Sequence, residues 1–129
     1  MFWVALSALI MTLTGEGDDT FVIREYLTRA REAVGEHVHD AARQRQALAA
    51  LDRTSKAFRQ HRQRTGKISE CIERADRKYA ASAADYQGCL TDVAPAWDAA
   101  AEELIGLSND FRGALTPAEL AAIRHDAER

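Results

Sequence analysis

The stretch HRQRTGKISE, from His61 to Glu70, determines the predicted fold because it contains a glycine between two long helical patterns. Gly66 can adopt the left-handed backbone conformation that ends many helices. On both sides of it, apolar residues recur in steps of three and four, which is the spacing of helices that pack lengthwise on one another. The sequence therefore predicts two helical arms joined by a turn at Gly66.

Each arm carries one continuous seam of mostly apolar positions. The first seam comprises Ile23, Leu27, Ala30, Val34, His37, Ala41, Gln44, Leu48, Leu51, Ser55 and Phe58, and the second runs from Ile68 to Phe111. Arms of about 45 residues joined by a tight turn fold back antiparallel. A turn at Gly66 then places Phe58 opposite Ala75, Leu48 opposite Ala84, Val34 opposite Asp98 and Phe111 opposite Phe21.

The second arm contains signals for a helix break. In the segment YQGCLTDVAPAW, Gly88 can end a helix, Thr91 or Asp92 can cap the next one, and Pro95 falls in its first turns. We expect a kink or a short break at this point.

A final helix is predicted from LTPAEL. Thr116 suits the N-cap, Pro117 the first helical position and Glu119 the third, which together form a capping box. The predicted fold class is therefore all-α: a long antiparallel, coiled-coil-like hairpin with a kinked second arm and a short C-terminal helix.

The N-terminal run MFWVALSALIMTLT is uncharged and precedes the acidic GEGDD. At about 1.5 Å per residue its 14 residues span roughly 21 Å, less than the ~30 Å hydrocarbon layer. The length fits a signal peptide, although no Lys or Arg precedes the run, or a short uncleaved membrane anchor. An ordinary buried helix is the alternative. The predicted divisions are residues 1–17 as signal or anchor and 18–129 as the helical domain, located in the periplasm or cell envelope with inner-membrane attachment if the anchor is retained.

The two cysteines, Cys71 and Cys89, are 18 residues apart. On one continuous helix that separation is about 27 Å, beyond the ~7 Å limit for a disulfide. Export favours a disulfide, which requires a turn near Ser82. The sequence leaves three interpretations open: an intramolecular disulfide, two buried thiols, or a crosslink between chains. In a dimer, Cys71 and His61 near the predicted turn could also form a zinc or copper site.

Half of the histidines lie in the stretch VGEHVHDAAR, residues 34–43. On a continuous helix His37 lies on the seam and His39 points away from it. His37 with Asp40, one helical turn later, and Asp98 from the facing arm form the predicted site for a divalent transition metal. Glu36 with His39 has the same spacing, and Asp92 is the other acid that the facing arm could contribute. The alternative is a hydrogen-bonded His37 between the arms and a solvated His39, with no cofactor.

Charge is unevenly distributed along the chain. Residues 43–78 contain 11 basic and 4 acidic side chains, net +7, whereas the rest contains 6 basic and 16 acidic ones, net −10. The basic tip of the predicted hairpin, namely Arg59, Arg62, Arg64 and Lys67, indicates an anionic partner or head-to-tail contact with another copy. Predicted export and the absence of interleaved aromatic residues argue against nucleic acid.

Two short motifs resemble a known family. LTPAE (Leu115–Glu119) and, more loosely, LTRAR (Leu27–Arg31) are similar to the repeated LTxxQ of the Spy/CpxP family of periplasmic proteins, which includes membrane-anchored heavy-metal sensors. Glu119 replaces the Gln of that motif, and a Met- or His-rich tail is absent. The resemblance implies a curved helical dimer that binds unfolded proteins or envelope signalling domains, with metal bound through His and Glu in some members.

These features predict binding rather than catalysis. The chain has no G-x-G-x-x-G, Walker loop, H-E-x-x-H, C-x-x-C or G-x-S-x-G motif, so we expect no enzyme activity. The sequence predicts an exported or membrane-tethered protein that binds other proteins as an adaptor or sensor of envelope stress. The more specific version of this hypothesis is a sensor that responds to metal. The alternative is a structural coiled-coil component of an envelope oligomer, assembled as a homodimer or larger through its basic tip and acidic base.

Overall fold

The computed structural model of the chain describes residues 19–78 and 80–128. Within these ranges the chain forms five helices and no strand, which confirms the predicted all-α class. The helices are α1 (Asp19–His37), α2 (Ala41–Asp76), α3 (Ala83–Leu90), α4 (Val93–Gly113) and α5 (Pro117–Ala127). The N-terminal segment assigned to a signal or anchor lies outside the described residues.

The centre of the fold is an antiparallel hairpin formed by α2 and the pair α3–α4. Its register follows from contacts between the arms: the numbers of the paired residues add to 164 for His61 and Glu103, and to 163 for Arg53 and Asp110. The turn therefore lies between residues 77 and 82. The predicted turn at Gly66, and the pairings derived from it, are wrong.

Gly66 lies inside α2 rather than at its end, because packing outweighs local preference. A glycine in a helix interior costs only about 1 kcal/mol relative to alanine. Residues on both sides of it, including Thr65 and Ala75, are buried against the other arm. Continuing the helix therefore keeps Ala75 buried and Ile68, Cys71 and Ile72 partly buried.

Polar contacts at the turn stabilise the N-terminus of α3. Ser82 is the N-cap, and its backbone N–H donates to the Asp85 carboxylate at 2.9 Å. The Lys78 ammonium donates to the same carboxylate at 2.8 Å, and these bonds lower the pKa of Asp85 to about 2. Across the turn, the Tyr86 hydroxyl donates to Asp76 at 2.6 Å, which raises the pKa of the tyrosine.

The predicted first arm is divided into two helices. α1 ends at His37, and the Asp40 carboxylate caps α2 by accepting the backbone N–H of Arg43 at 2.9 Å. Between them Val38 is fully buried. An ion pair between Arg31 and Asp52 joins the two helices, so α1 folds back along the first half of α2.

Two apolar clusters form the core. The first lies where α1, the start of α2, the end of α4 and α5 meet, and consists of Leu27, Ala30, Ala33, Val34, Val38, Ala47, Ala50, Leu51, Phe111, Ala114 and Ile123. The second joins the middle of α2 to α4 through Ala57, Ala100, Leu104 and Leu107, with Phe58 and Trp97 at its edge. Leu51 is fully buried and Leu48 partly buried, both in contact with the first cluster and not with Ala84. The side chain of Phe21 lies outside the description.

The breaks predicted in the last third of the chain are present. α3 ends at Leu90, and Asp92 occupies the N-cap of α4. At α5, the Thr116 hydroxyl accepts the Glu119 backbone N–H at 3.2 Å, and the Glu119 carboxylate accepts the Thr116 N–H at 2.8 Å. The capping box with Pro117 is confirmed.

None of the helices described is both long enough and apolar enough to cross a membrane.

Candidate functional site

A groove of about 620 Å³ lies between the second half of α2 and the junction of α3 with α4. Three cationic side chains line it: Arg64, Lys67 and Arg74. Because these positions are separated by three and seven residues, they share one face of α2. All three are exposed, and none takes part in the ion pairs of the described chain. The groove therefore has positive charge that the described chain does not neutralise.

The rest of the lining is mixed. Gln60 and Gln63 provide amide donors and acceptors, whereas Ile68, Pro95 and Ala96 provide an apolar surface. Among the described residues, Asp92 is the one acidic group that lines the groove. The cations can pair with carboxylates, and the two glutamines can exchange hydrogen bonds with a peptide backbone. The apolar residues can pack against small apolar side chains.

A disulfide between Cys71 and Cys89 forms part of the groove wall, with a Cα–Cα distance of 5.6 Å. The expected separation of about 27 Å assumed one continuous helix, whereas the turn at residues 77–82 brings the two cysteines together. Both thiols are consumed in this bond, so the predicted dimeric metal site of His61 with Cys71 is wrong. The His61 Nε2 instead lies 2.9 Å from the carboxylate of Glu103.

The four residues predicted as a basic tip lie in the middle of α2. Arg59, Arg62, Arg64 and Lys67 are all exposed, but they are at least ten residues from the turn. Only Arg64 and Lys67 line the groove. Sequence reasoning missed Arg74, which joins them because α2 continues through Gly66.

Charge is segregated between neighbouring helices rather than between tip and base. α2 contains nine Lys and Arg against four Asp and Glu, whereas α4 contains one against four. Within the described chain, the ion pair of Arg53 with Asp110 at 3.5 Å and the contact of His61 with the Glu103 carboxylate connect these helices. Most of the positive charge on α2 is therefore directed to solvent.

The three predicted metal ligands do not come together. Asp40 caps α2, Asp98 is exposed on α4, and His37 lies at the end of α1. The His37 Nε2 instead lies 2.6 Å from Asp126 Oδ2. Sequence reasoning missed Asp126 because periodicity within α5 does not reveal that α5 packs on α1.

One further acid approaches this histidine. Glu36, His37 and Asp126 each offer a ligand atom, and these atoms lie within 4.8 Å of one another. The side chains of His37 and Asp126 are 33% and 23% exposed, so the cluster is accessible from solvent. His39, predicted to point away, is exposed in the connection between α1 and α2.

The chain matches no protein-family model, no curated protein and no solved structure in the comparisons made. The resemblance to the Spy/CpxP family therefore stays a prediction.

Proposed function

We propose that the protein is an adaptor of the cell envelope that binds an acidic segment of a partner protein in the basic groove. One observation carries this proposal: Arg64, Lys67 and Arg74 converge on a groove and have no acidic partner within the described chain. Surface cations in a folded protein interact with a complementary ligand more strongly when they line one concave site, because the site focuses their field.

The lining favours a polypeptide over a nucleic acid. Single-stranded nucleic acids are bound by stacking of bases on aromatic side chains, and none of the described residues that line the groove is aromatic. Ile68 and Ala96 instead offer an apolar surface, and Gln60 and Gln63 suit a peptide backbone. A segment that alternates acidic and aliphatic residues would complement both features.

The proposed compartment rests on the disulfide and on the N-terminal run. Disulfides persist in oxidising compartments, so the bond between Cys71 and Cys89 supports an exported protein. The uncharged residues 1–14 would supply the export signal or the membrane tether. A role in envelope stress, as the family resemblance implies, belongs to the same proposal.

The test is the binding of labelled synthetic peptides, followed by fluorescence anisotropy. The probe is a peptide of alternating Glu and Leu, compared with one of alternating Lys and Leu and with a single-stranded oligonucleotide. We expect the Glu peptide to bind and the Lys peptide not to bind. Affinity should fall as sodium chloride rises from about 50 to 500 mM, because salt screens exposed charges.

Two triple variants remove the same charge at different places. Arg64→Gln, Lys67→Gln and Arg74→Gln together should weaken binding of the Glu peptide about tenfold, since three exposed ion pairs at about 0.5 kcal/mol each sum to about 1.5 kcal/mol. The matched control replaces Arg24, Arg112 and Arg124 with Gln. These residues are exposed and line no part of the groove, so this variant should bind the Glu peptide with the affinity of the unmodified chain. Equal weakening in both variants, or tighter binding of the oligonucleotide, would contradict the proposal.

A further inference from the structure

The cluster of Glu36, His37 and Asp126 lies far from the groove and has different chemistry. Glu36 and His37 belong to the last turn of α1, and Asp126 to the last turn of α5. His37 ends α1, four residues before α2 begins at Ala41, whereas the groove begins at Gln60. The intervening 19 residues of α2 extend about 29 Å at 1.5 Å per residue. The cluster is therefore a separate feature of the fold.

We propose that Glu36, His37 and Asp126 bind one divalent transition-metal ion of the zinc type. One imidazole nitrogen and two carboxylate oxygens are ligands that such ions accept, unlike the all-oxygen sets of Mg²⁺ and Ca²⁺. Zinc binds these atoms at about 2.0–2.2 Å, so two ligands of one ion are separated by at most about 4.4 Å. The three atoms already lie within 4.8 Å, and small side-chain rotations suffice to complete the site.

The position in the fold adds to the attraction for a cation. Two helix C-termini meet at the site, and the last carbonyl groups of a helix carry partial negative charge. Two carboxylates add formal negative charge. With three protein ligands, the ion would keep at least one position for water or an outside ligand.

Metal binding would also connect two parts of the chain. Glu36 and His37 are separated from Asp126 by about ninety residues, and their helices already pack together in the first apolar cluster and through the contact of His37 with Asp126. An ion held by all three side chains would fasten α5 to α1. Since the ion binds the folded state, it should raise the melting temperature.

The experiment is a calorimetric titration of the chelator-treated full chain with Zn²⁺, without reducing agent. Under these conditions the disulfide keeps both cysteines from binding zinc. We expect one Zn²⁺ per chain and a higher melting temperature with the metal. His37→Ala should abolish binding, and Asp126→Asn or Glu36→Gln should weaken it at least about tenfold.

Two neighbouring histidines provide matched controls. His39 lies two residues from His37 and His125 lies beside Asp126, and both are exposed. His39→Ala and His125→Ala should each retain binding and the zinc-dependent rise in melting temperature. Helix content by circular dichroism identifies any variant that fails to fold, and Asp126→Asn keeps the side-chain shape for that comparison.

Two results would overturn the site. The first is the absence of stoichiometric Zn²⁺ binding to the folded chain. The second is a zinc-dependent rise in melting temperature that remains in the folded variants His37→Ala and Asp126→Asn. If the contact of His37 with Asp126 only stabilised the fold, these variants would melt at a lower temperature without zinc and still show the same rise with zinc. Neither result concerns the peptide groove, so the two proposals can fail independently.

Discussion

At the scale of the residue, single polar side chains define where the helices begin. The Asp40 carboxylate caps α2, and Thr116 with Glu119 caps α5. A cap of this kind contributes roughly 0.5–2 kcal/mol, because it satisfies backbone N–H groups that have no partner within the helix. Glu119 also forms an ion pair with Arg43 and therefore joins α5 to α2.

The acid stability of the fold should depend on Glu119. The bond from Arg43 and the backbone N–H of Thr116 lower its pKa from 4.5 to about 2. A carboxyl with a lower pKa in the folded state stabilises the fold above its unfolded pKa, and this contribution is lost as the pH falls through the folded pKa. We expect the free energy of unfolding, measured with urea, to decrease between pH 4.5 and pH 2.

Replacing Glu119 with a neutral residue of the same shape distinguishes its contribution to acid stability from that of the other acidic residues. Glu119→Gln retains the capping shape, so it should lower stability at neutral pH and flatten the decrease between pH 4.5 and pH 2. Glu102→Gln is the control, because Glu102 is exposed on α4 and belongs to none of the ion pairs described. The same pH profile for Glu119→Gln and the unmodified chain would contradict the assignment.

At the scale of the element, the disulfide holds α3 against α2. α3 has only eight residues, and of these Cys89 alone is buried. Isolated helices shorter than about 12 residues are marginal in water, so α3 depends on its tertiary contacts. The bond to Cys71 is the strongest of them, and it also shapes the groove.

Removal of the disulfide should destabilise the protein measurably. A crosslink that closes a loop of this length restricts the unfolded chain by about 3 kcal/mol. We therefore expect the double variant Cys71→Ala and Cys89→Ala to unfold at lower urea concentration, by about that free energy, and to bind the acidic peptide more weakly. Chemical reduction of the unmodified chain should reproduce the change. Equal stability of the oxidised and reduced chains would show that α3 is held by packing alone.

Helix type was predictable from the sequence, but the ends of the long helices were not. The capping box of α5 and the break before α4 are signals contained within a few neighbouring residues, and both are present in the structure. The sequence predicts a helix end at Gly66, whereas contacts with the distant α3 and α4 keep this residue helical. The sequence predicts Asp40 as a metal ligand because the apolar seam continues past it. The polar seam positions His37 and Gln44 nevertheless lie on either side of the break at which Asp40 caps α2.

In both candidate sites, the sequence predicts the residues that are close together in the chain and misses those that come from elsewhere. Arg64 and Lys67 were identified because cations cluster along the sequence, and helix α2 keeps that cluster together. Arg74 and Asp126 were missed, since the first required the correct register and the second the packing of α5 on α1. Information of this kind lies in contacts between residues far apart in the chain.

At the scale of the whole molecule, the basic α2 and the acidic α4 form two neighbouring flanks of opposite charge. In a structural oligomer, which is the alternative hypothesis, the basic flank of one copy would contact the acidic flank of the next. Exposed ion pairs each contribute only about 0–1 kcal/mol, so charge alone holds copies together weakly. An adaptor has no need of such assembly, because its basic groove is directed to another protein.

The dependence of mass on salt distinguishes the two functions. We expect sedimentation equilibrium to give the same oligomeric mass at about 50 and 500 mM sodium chloride, because charge-driven contacts between copies would be screened across this range. Replacing Asp98 with Asn and Glu102 with Gln on the acidic flank should leave that mass unchanged, since both side chains are exposed and unpaired among the ion pairs described. A mass that decreases with salt, and decreases likewise in this variant at low salt, would instead support a structural oligomer in which the flank of α2 is occupied by the α4 of a second copy.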